Sequence, residues 1–425
     1  MKIKKFQLFS VLIACAAALS AFETPKDAVN AANQAARKKN YEEAHKCLEE
    51  GYKLSVNPTE KSIVLSCRGE VYKMQGDLKN AEKTVMEIVS DPKMPPTLVV
   101  GAWERIARYR EAQRKYEDAV EAYQKILEIC KEGNQAQDAL NRCGMLLVRL
   151  KDYPGAIECY KQVRTIPNKD VRRSKIMIMT SYNNIASAYV AMKQYADAVK
   201  TLEEAAKLPE FKDPKDQASF QKSIANIFMN QIREAIRFKR FDEADAALNE
   251  YKKCGDAKQI KILEIAVLQG KAALAERNRD TAAAESFYQE ALKVAGPDSP
   301  DAIGVYAELI NHYLRLKKNE DAEKALQQLL AIPCKDAEAQ FNVNFVRMRY
   351  LCLVKKHDEA VKLMEETAGL KGLRPMRVVR CYELICNIYL SLNDLKNAKL
   401  YLEKAAAVPG TNWKCPEYLK KRLGF

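Results

Sequence analysis

Apolar and polar positions along this chain recur in one order: an aromatic residue, two further residues, an alanine, and a bulky residue four positions later. Three copies are "YEEAHKCL" from Tyr41, "YEDAVEAY" from Tyr116 and "YADAVKTL" from Tyr195. Weaker copies replace the aromatic residue but keep the alanine. The ten alanines that mark the copies are Ala44, Ala81, Ala119, Ala156, Ala198, Ala244, Ala284, Ala322, Ala360 and Ala398. Their spacing of 37 to 46 residues indicates a protein built from stacked repeat units.

A second apolar stripe lies upstream of each alanine. In the fifth copy it consists of Tyr182, Ile185, Ala186 and Tyr189, whose spacing places them on one side of a helix. Each unit is therefore predicted to be two amphipathic helices joined by a tight polar turn. A small residue in the first helix, such as Gly144, and the alanine in the second predict that the two helices approach closely.

The third copy, "AWERIARYREAQRKYEDAVEAYQKILEI" (102–129), carries these features in the order of a known family. It has a tryptophan, a small residue, the aromatic-x-x-alanine motif and a second-helix aromatic. In these features the chain resembles the tetratricopeptide repeat family over residues 26–410. The resemblance implies an all-α superhelix, a solenoid of about ten helical hairpins. Units of that family run about 34 residues, so the longer spacing here predicts an extra helical turn or longer links in each unit.

Proline-containing polar links suggest where the repeat array divides. The segment "LPEFKDPKDQASF" (208–220) lies in the longest interval, so we expect one sub-array over 26–210 and another over 211–410. The tail, 411–425, is predicted to form a short helix from Pro416 that covers the last hairpin. Repeat arrays need such caps because their terminal units otherwise leave an apolar face in water.

The first twenty residues have the features of an export signal. Lysines occupy three of the first five positions, an apolar run covers 6–19, and small residues follow at the spacing of a cleavage site. Residues 1–20 are therefore expected to be a signal peptide, which places the protein in the periplasm or cell envelope of a bacterium. The segment "LIAC" also resembles a lipobox, which makes Cys15 a candidate for lipidation as an alternative to cleavage near Ser20.

The amino-acid composition restricts the fold class and the kinds of partner. Glycine and proline number 15 each, too few for the many turns of a β-sandwich or barrel. The formal charge is +14, which favours anionic partners, although the basic residues are interleaved with 56 acids along the whole chain. Twelve cysteines have irregular spacing and no Cys-x-x-Cys motif, so we expect buried thiols that act as small hydrophobic residues.

No catalytic or cofactor motif emerges from the sequence. The three histidines, His45, His312 and His357, belong to different units and so do not suggest a metal site. Ser219 and Lys222 match only the loose S-x-x-K pattern, which a long lysine-rich chain produces by chance. No phosphate-binding or dinucleotide motif occurs. We expect no catalytic residues, no cofactor and no metal.

One polar position recurs on the first helix of each unit, five residues after the leading apolar position. The family resemblance implies that first helices line a concave groove that binds peptides. Guanidinium groups pair with carboxylates and side-chain amides bind peptide backbone, so arginine and asparagine at this position suit an extended segment. The alternative is that these residues are ordinary exposed positions of a helix. The candidate binding residues are Asn33, Arg108, Arg233, Asn311, Arg349 and Asn387, with Asn141 and Asn183 four residues before that position in copies four and five.

These features together predict a non-enzymatic interaction scaffold of the bacterial cell envelope that holds protein or peptide partners, with acidic segments favoured. The alternative is a protein that binds polysaccharide or lipid through its basic surface. Nucleic acid is not expected, because the aromatic residues fall on the interior stripe rather than beside a basic track. Contact with a membrane is expected only through a lipid on Cys15.

Overall fold

The computed structural model describes residues 22–423 of the chain. Within that range it contains twenty-one α-helices, three short 3-10 helices and no β-strand. The α-helices are α1 Pro25–Arg37, α2 Tyr41–Leu54, α3 Pro58–Met74, α4 Leu78–Ser90, α5 Pro96–Ala112, α6 Tyr116–Ile129, α7 Gly133–Arg149, α8 Tyr153–Gln162, α9 Val171–Ala191, α10 Tyr195–Ala206, α11 Pro214–Arg237, α12 Phe241–Tyr251, α13 Ala257–Arg277, α14 Thr281–Ala295, α15 Ile303–Arg315, α16 Asn319–Leu330, α17 Ala337–Leu353, α18 His357–Ala368, α19 Pro375–Ser391, α20 Leu395–Ala406 and α21 Glu417–Leu423.

Helices α1 to α20 form ten hairpins, so the predicted all-α array is confirmed. Odd-numbered helices are the first helices of the hairpins and even-numbered helices the second. The chain divides into two compact units between Ile227 and Phe228, inside α11. The division that we expected between residues 210 and 211 lies just before α11 begins at Pro214. The expected signal peptide, 1–20, and Cys15 lie outside the described residues.

The second helices begin where the aromatic residues predicted them, at Tyr41, Tyr116, Tyr153, Tyr195 and Phe241. Asparagine or aspartate caps many of the helices, because its side chain accepts a bond from a backbone N–H that has no partner within the helix. In one example Asn57 Oδ1 accepts from the Glu60 amide at 2.9 Å. These caps fix the turns and hence the register of the hairpins.

The repeated alanines form the contact between the two helices of each hairpin. All ten marker alanines are fully buried, at 0% exposure. The small residues of the first helices lie as close to the second helices as predicted: a Cβ added to Gly69 would lie 2.7 Å from Val85 Cγ2. Even a methyl group does not fit at Gly69, and the ten alanines are completely covered, which explains why small residues recur where the two helices touch.

The repeat units of this chain differ in length largely through their first helices. Five of them (α3, α5, α7, α17 and α19) have 17 residues each. The longest intervals between marker alanines contain α9, α11 and α13, which have 21, 24 and 21 residues. The longest intervals therefore contain first helices that are longer than these five by one turn or more.

The chain ends in a short helix that packs on the last hairpin. Leu419 of α21 is 1% exposed and belongs to one apolar cluster with Tyr401 and Leu402 of α20. The structure thus contains the terminal helix predicted over 411–425. Among the described helices, none combines the length and the apolar character needed to cross a lipid bilayer.

Candidate interaction face on the first helices

The first helices of the first unit together form a polar surface, which we call the first-helix face. It comprises the solvent-facing sides of α1, α3, α5, α7 and α9. Side chains link three neighbouring pairs of these helices: α1 with α3, α3 with α5, and α7 with α9. Cys67 of α3 contacts Asn33 Oδ1 of α1 at 3.4 Å, and Arg105 of α5 donates to Glu70 of α3 at 3.3 Å. Further along, Arg173 of α9 donates to Asp138 of α7 at 2.8 Å.

Glu70 is the most highly connected carboxylate of this face. It accepts hydrogen bonds from Lys73, from Arg105 and from the hydroxyl of Tyr109, the last at 3.1 Å. Burial acts to raise its pKa, but the bonds from Lys73 and Tyr109 outweigh it and lower the pKa of Glu70. Burial and the nearby Glu70 charge raise the pKa of Tyr109. The ionised Glu70 carboxylate of α3 therefore binds two side chains of α5 and helps to fix the position of the two helices relative to each other.

An open cavity of about 400 Å³ lies on the first-helix face between α1, α3 and α5. We call it the apolar cavity, because Val29, Ile63 and Leu98 lie in its wall. Ile63 is 51% exposed, which is unusual for isoleucine. Gly101 and Ala102 are small residues on the α5 side of the cavity. Its size and lining suit an apolar side chain from another molecule.

A second cavity, of about 220 Å³, lies on the other side of α5. We call it the basic cavity. Its charged lining residues are Glu104, Arg108, Asp138, Arg142 and Arg173. Arg108 donates to Glu104 at 3.2 Å and Arg173 pairs with Asp138, whereas Arg142 is exposed and has no ion pair within residues 22–423. The cavity therefore carries one positive charge in excess.

Two of the predicted binding amides in this unit, Asn141 and Asn183, are less exposed to solvent than the sequence pattern suggested. Asn183 is half-buried, donates to the Met179 carbonyl at 3.0 Å and accepts from Ser223 at 2.9 Å. Asn141 is only 6% exposed, and neither its side-chain nitrogen nor its oxygen has a hydrogen-bond partner among the described residues. Asn33 and Arg108 are exposed. The predicted arginine is thus available to a ligand, and Asn141 is a buried amide with unmet hydrogen bonds.

The second unit carries the other four predicted residues. Arg233, Arg349 and Asn387 are exposed, and Asn311 is half-buried. They lie on α11, α17, α19 and α15, one residue to each first helix. None of these four residues lines the apolar cavity or the basic cavity. The candidate site is therefore better developed in the first unit.

Sequence reasoning missed the residues that make the basic cavity. Glu104 and Asp138 are involved in ion pairs there, and Arg142 supplies the unpaired charge. All three lie on first helices, on the same side as the predicted binding position, which is Arg108 in α5 and Met145 in α7. They precede that position by three to seven residues. The signal was present as further polar positions on that side, but their pairing depends on which helices become neighbours.

The described residues offer no sign of a metal centre, since no group of three or more His, Cys, Asp or Glu side chains converges. No disulfide joins the eleven cysteines between 22 and 423. Burial raises the pKa of the Cys67 thiol to about 11 and that of Cys143 to about 12. Such thiols are poor nucleophiles at neutral pH, which agrees with their predicted role as small hydrophobic residues.

Comparison with known proteins identifies the repeats. Family models described as tetratricopeptide repeat match residues 104–170, 180–211 and 379–409. The MamA protein structure is 17% identical, covers 44% of this chain and 91% of its own, and has a TM-score of 0.32. A tetratricopeptide repeat protein from Parabacteroides merdae is 13% identical over 64% of this chain and 94% of its own, with a TM-score of 0.34.

A third structure is the C-terminal part of a repeat protein from Cytophaga hutchinsonii, 15% identical over 74% of this chain and 99% of its own, with a TM-score of 0.31. The search of curated proteins gave no match. The segments matched by the family models coincide with hairpins: 180–211 covers most of α9 and all of α10, and 379–409 most of α19 and all of α20. Proteins built from such repeats are generally non-enzymatic, and the repeats suggest a scaffold for protein–protein interaction. The chain contains tetratricopeptide repeats.

Proposed function

We propose that the protein is a non-enzymatic scaffold that holds an extended segment of a partner protein on the first-helix face of its first unit. The observation that carries the proposal is the pair of cavities on either side of α5. One has an apolar lining and the other an excess positive charge. An extended chain that crosses α5 fills both with different side chains, which gives sequence selectivity as well as affinity.

The charge of the basic cavity favours an acidic side chain in the partner. Arg142 has no ion pair among the described residues, and Arg108, though paired with Glu104, is 64% exposed. A carboxylate from a ligand gains a charge-assisted hydrogen bond from Arg142 without breaking an existing pair. A lysine or arginine at the same point of the partner meets like charge and is excluded.

Asn141 adds a group that suits peptide backbone. A buried amide without partners is destabilising, and a bound segment that reaches it replaces the missing hydrogen bonds. Asn141 immediately precedes Arg142 of the basic cavity on α7. We therefore assign Asn141 to the binding of the partner's backbone, after a small movement of the residues that cover it.

The location of this scaffold follows from its first residues. Residues 1–20 act as an export signal, and the scaffold serves the bacterial cell envelope, either as a free protein or through a lipid on Cys15. Mass spectrometry of the mature N-terminus tests this part directly. A start near Ala21 indicates a free protein and a lipid on Cys15 a tethered one, whereas an intact Met1 in the mature protein contradicts export.

A capture experiment tests the binding face. The full chain with a C-terminal tag is used to recover partners from the cells that make it, in wild-type form and as Arg142→Glu. The control is Lys83→Glu, which places an acidic residue at an exposed position of the second helix α4. We expect one partner to be recovered by the wild type and the control but not by Arg142→Glu. Equal recovery by all three proteins, or no partner at all, contradicts the proposal.

A further inference from the structure

The hairpin turns have a backbone conformation that L-residues rarely adopt. In each of the ten hairpins, one turn residue has φ between 57° and 83°. Glycine and asparagine tolerate this left-handed region best. Here only Gly76 and Asn393 follow that preference. The other eight residues are basic: Lys39, Arg114, Lys151, Lys193, Lys239, Arg279, Lys317 and Lys355.

The fold does not need a cation at these turns, because Gly76 and Asn393 form the same turn. All eight basic residues are exposed. Seven of them, all except Lys193, form no ion pair within residues 22–423. A basic side chain at a strained position that forms no ion pair within the protein suggests a requirement outside it.

In each unit neighbouring turns lie side by side. In the first unit the Tyr41 hydroxyl donates to the Met74 carbonyl at 3.3 Å, which joins the turns that follow α1 and α3. Arg149 at the end of α7 donates to the Tyr116 hydroxyl at the start of α6. In the second unit Arg315 at the end of α15 pairs with Glu276 at the end of α13. These contacts bring basic residues of neighbouring turns close together, and we call the basic turn residues of each unit its basic turn edge.

Apolar side chains accompany the cations of this edge. In six of the ten turns the residue just before the left-handed position is Leu, Met, Phe or Val. Phe238, which precedes Lys239, is 58% exposed, and Leu392 is 46% exposed. Leu353, two residues before Lys355, is 56% exposed. Large apolar residues at such exposure beside unpaired lysines give the edge an amphipathic character.

The second unit also has an open cleft on this edge, with a volume of about 490 Å³. Its lining includes Arg277, Arg279, Arg315 and His312. His312 is 2% exposed, its Nδ1 lies 2.7 Å from Glu276 Oε1, and its Nε2 has no hydrogen-bond partner in the described residues. Neither Arg277 nor Arg279 has an ion pair within residues 22–423. A cleft with three guanidinium groups against one carboxylate suits an anion such as phosphate.

We propose that the basic turn edge of the second unit docks on an anionic phospholipid surface and that the Arg277–Arg279–Arg315 cleft receives a headgroup phosphate. Lysines and arginines near such a surface are attracted to its negative potential. Exposed Phe238 and Leu353 enter the interfacial layer beside them, where apolar side chains are stabilised. This surface is separate from the first-helix face of the first unit, so a partner segment and a membrane are bound by different residues.

The apolar component favours a lipid surface over a soluble polyanion. A nucleic acid or polysaccharide needs cations and, for single strands, stacked aromatic side chains in a groove. The turns of the second unit offer Phe238 alone as an exposed aromatic, together with aliphatic residues that have no use against a hydrated polymer. Acyl chains just below a headgroup layer accommodate both kinds of side chain.

The test measures binding of the full chain to vesicles, with Cys15→Ser in all proteins so that no lipid is attached. The turn variant carries Lys239→Asn, Arg279→Asn, Lys317→Asn and Lys355→Asn, because asparagine tolerates the left-handed backbone. The control variant removes the same charge at exposed positions away from the turns: Lys258→Gln, Lys293→Gln, Lys362→Gln and Lys371→Gln. Thermal melts show whether each variant is folded.

We expect the wild type and the control variant to co-sediment with mixed phosphatidylcholine–phosphatidylglycerol vesicles and not with phosphatidylcholine alone. The turn variant should lose at least about tenfold in affinity while melting at the wild-type temperature. Equal loss in both variants, or binding that the turn variant retains, overturns the proposal.

Two further measurements separate the sources of the anion. Inorganic phosphate in excess over the lipid should leave most of the protein on the vesicles if a surface is bound. Complete displacement by phosphate means that the cleft binds a free anion and contradicts the docking of the edge. Tighter binding to heparin or DNA than to the mixed vesicles, lost in the turn variant, assigns the edge to a polyanion and likewise overturns the proposal.

Discussion

Gly144 of α7 lies directly against the ring of Tyr160 of α8. A Cβ built on Gly144 would be 2.4 Å from Tyr160 Cε1, closer than any pair of carbon atoms that are not bonded can approach. Tyr160 is 2% exposed, and burial raises the pKa of its hydroxyl to about 12. The two residues therefore form a packed contact in which the glycine makes room for the aromatic ring.

Replacing Gly144 by alanine should destabilise the first unit. The methyl group forces Tyr160 or α7 to move, and overpacking of this kind costs about 1–3 kcal/mol. Thermal or urea unfolding of the full chain measures the loss. The matched control is Gly101→Ala in α5, where nothing lies within 4 Å of an added Cβ. That change should be neutral or stabilising by up to about 1 kcal/mol, because alanine favours helix. Equal losses at both positions would show that the packing contact is not the cause.

Gln137 and Asn141 lie one turn apart on α7 and should respond in opposite ways to leucine. Both are buried, but the Gln137 amide donates to the Val163 carbonyl and to Ser174 Oγ, at 3.1 and 3.0 Å. Gln137→Leu leaves that carbonyl unsatisfied and should cost about 1–3 kcal/mol. Asn141→Leu removes an amide without partners and should stabilise by about 1 kcal/mol or leave stability unchanged. Unfolding of the two variants side by side decides this, and a large loss for Asn141→Leu would indicate a hydrogen bond missing from this structure.

The carboxylate of Glu338 should make the second unit sensitive to acid. Hydrogen bonds from Arg374 and Arg377 lower its pKa to about 2. Because the folded-state pKa is depressed, the stabilisation is complete above the ordinary carboxylate pKa and is lost as pH falls through about 2. Urea unfolding between pH 6 and pH 2 should therefore show a smaller loss of stability in Glu338→Gln than in the wild type. Parallel pH profiles for the two proteins would contradict this assignment.

The left-handed turn residues should tolerate asparagine but not valine. Lys151 has φ of 64° and no ion pair in the described part of the chain. Lys151→Asn should leave the melting temperature nearly unchanged, because asparagine adopts this conformation readily. Lys151→Val should cost about 1 kcal/mol or more, since a β-branched residue at positive φ is strained. A turn that accepts valine without loss would mean that its backbone relaxes to another conformation.

The fold of this chain could be predicted well from local sequence. The marker alanines and the aromatic residues recur at fixed positions. The sequence of each hairpin is therefore enough to predict its two helices and the contact between them. Ala119 is buried in the structure for the reason that the pattern gives. The helices and their contact depend on residues of one hairpin alone, so they can be predicted from the sequence of that hairpin.

The candidate site was harder to predict because it depends on neighbouring hairpins. Besides its neighbour Lys73, Glu70 bonds to Arg105 and Tyr109, which lie 35 and 39 residues away, and no local pattern connects it to these two. The burial of Asn141 follows from the way that neighbouring hairpins pack around α7. His312 appeared as an isolated histidine in sequence but lies beside Glu276 and Arg315 in a cleft. The spacing of the alanines and aromatic residues predicted the helices. Which side chains contact one another across hairpins depends on how the hairpins pack.

In the proposed function, a partner protein binds the first-helix face of the first unit. The most direct test places a photo-crosslinking amino acid at Ile63 in the apolar cavity, at Met145 on α7, or at Lys83 on α4, in living cells. Ile63 and Met145 are 51% and 44% exposed, and Lys83 is exposed on a second helix. We expect the same partner protein to crosslink from Ile63 and from Met145 and not from Lys83. A partner that crosslinks only from Lys83, or different partners from the two first-helix positions, would contradict it.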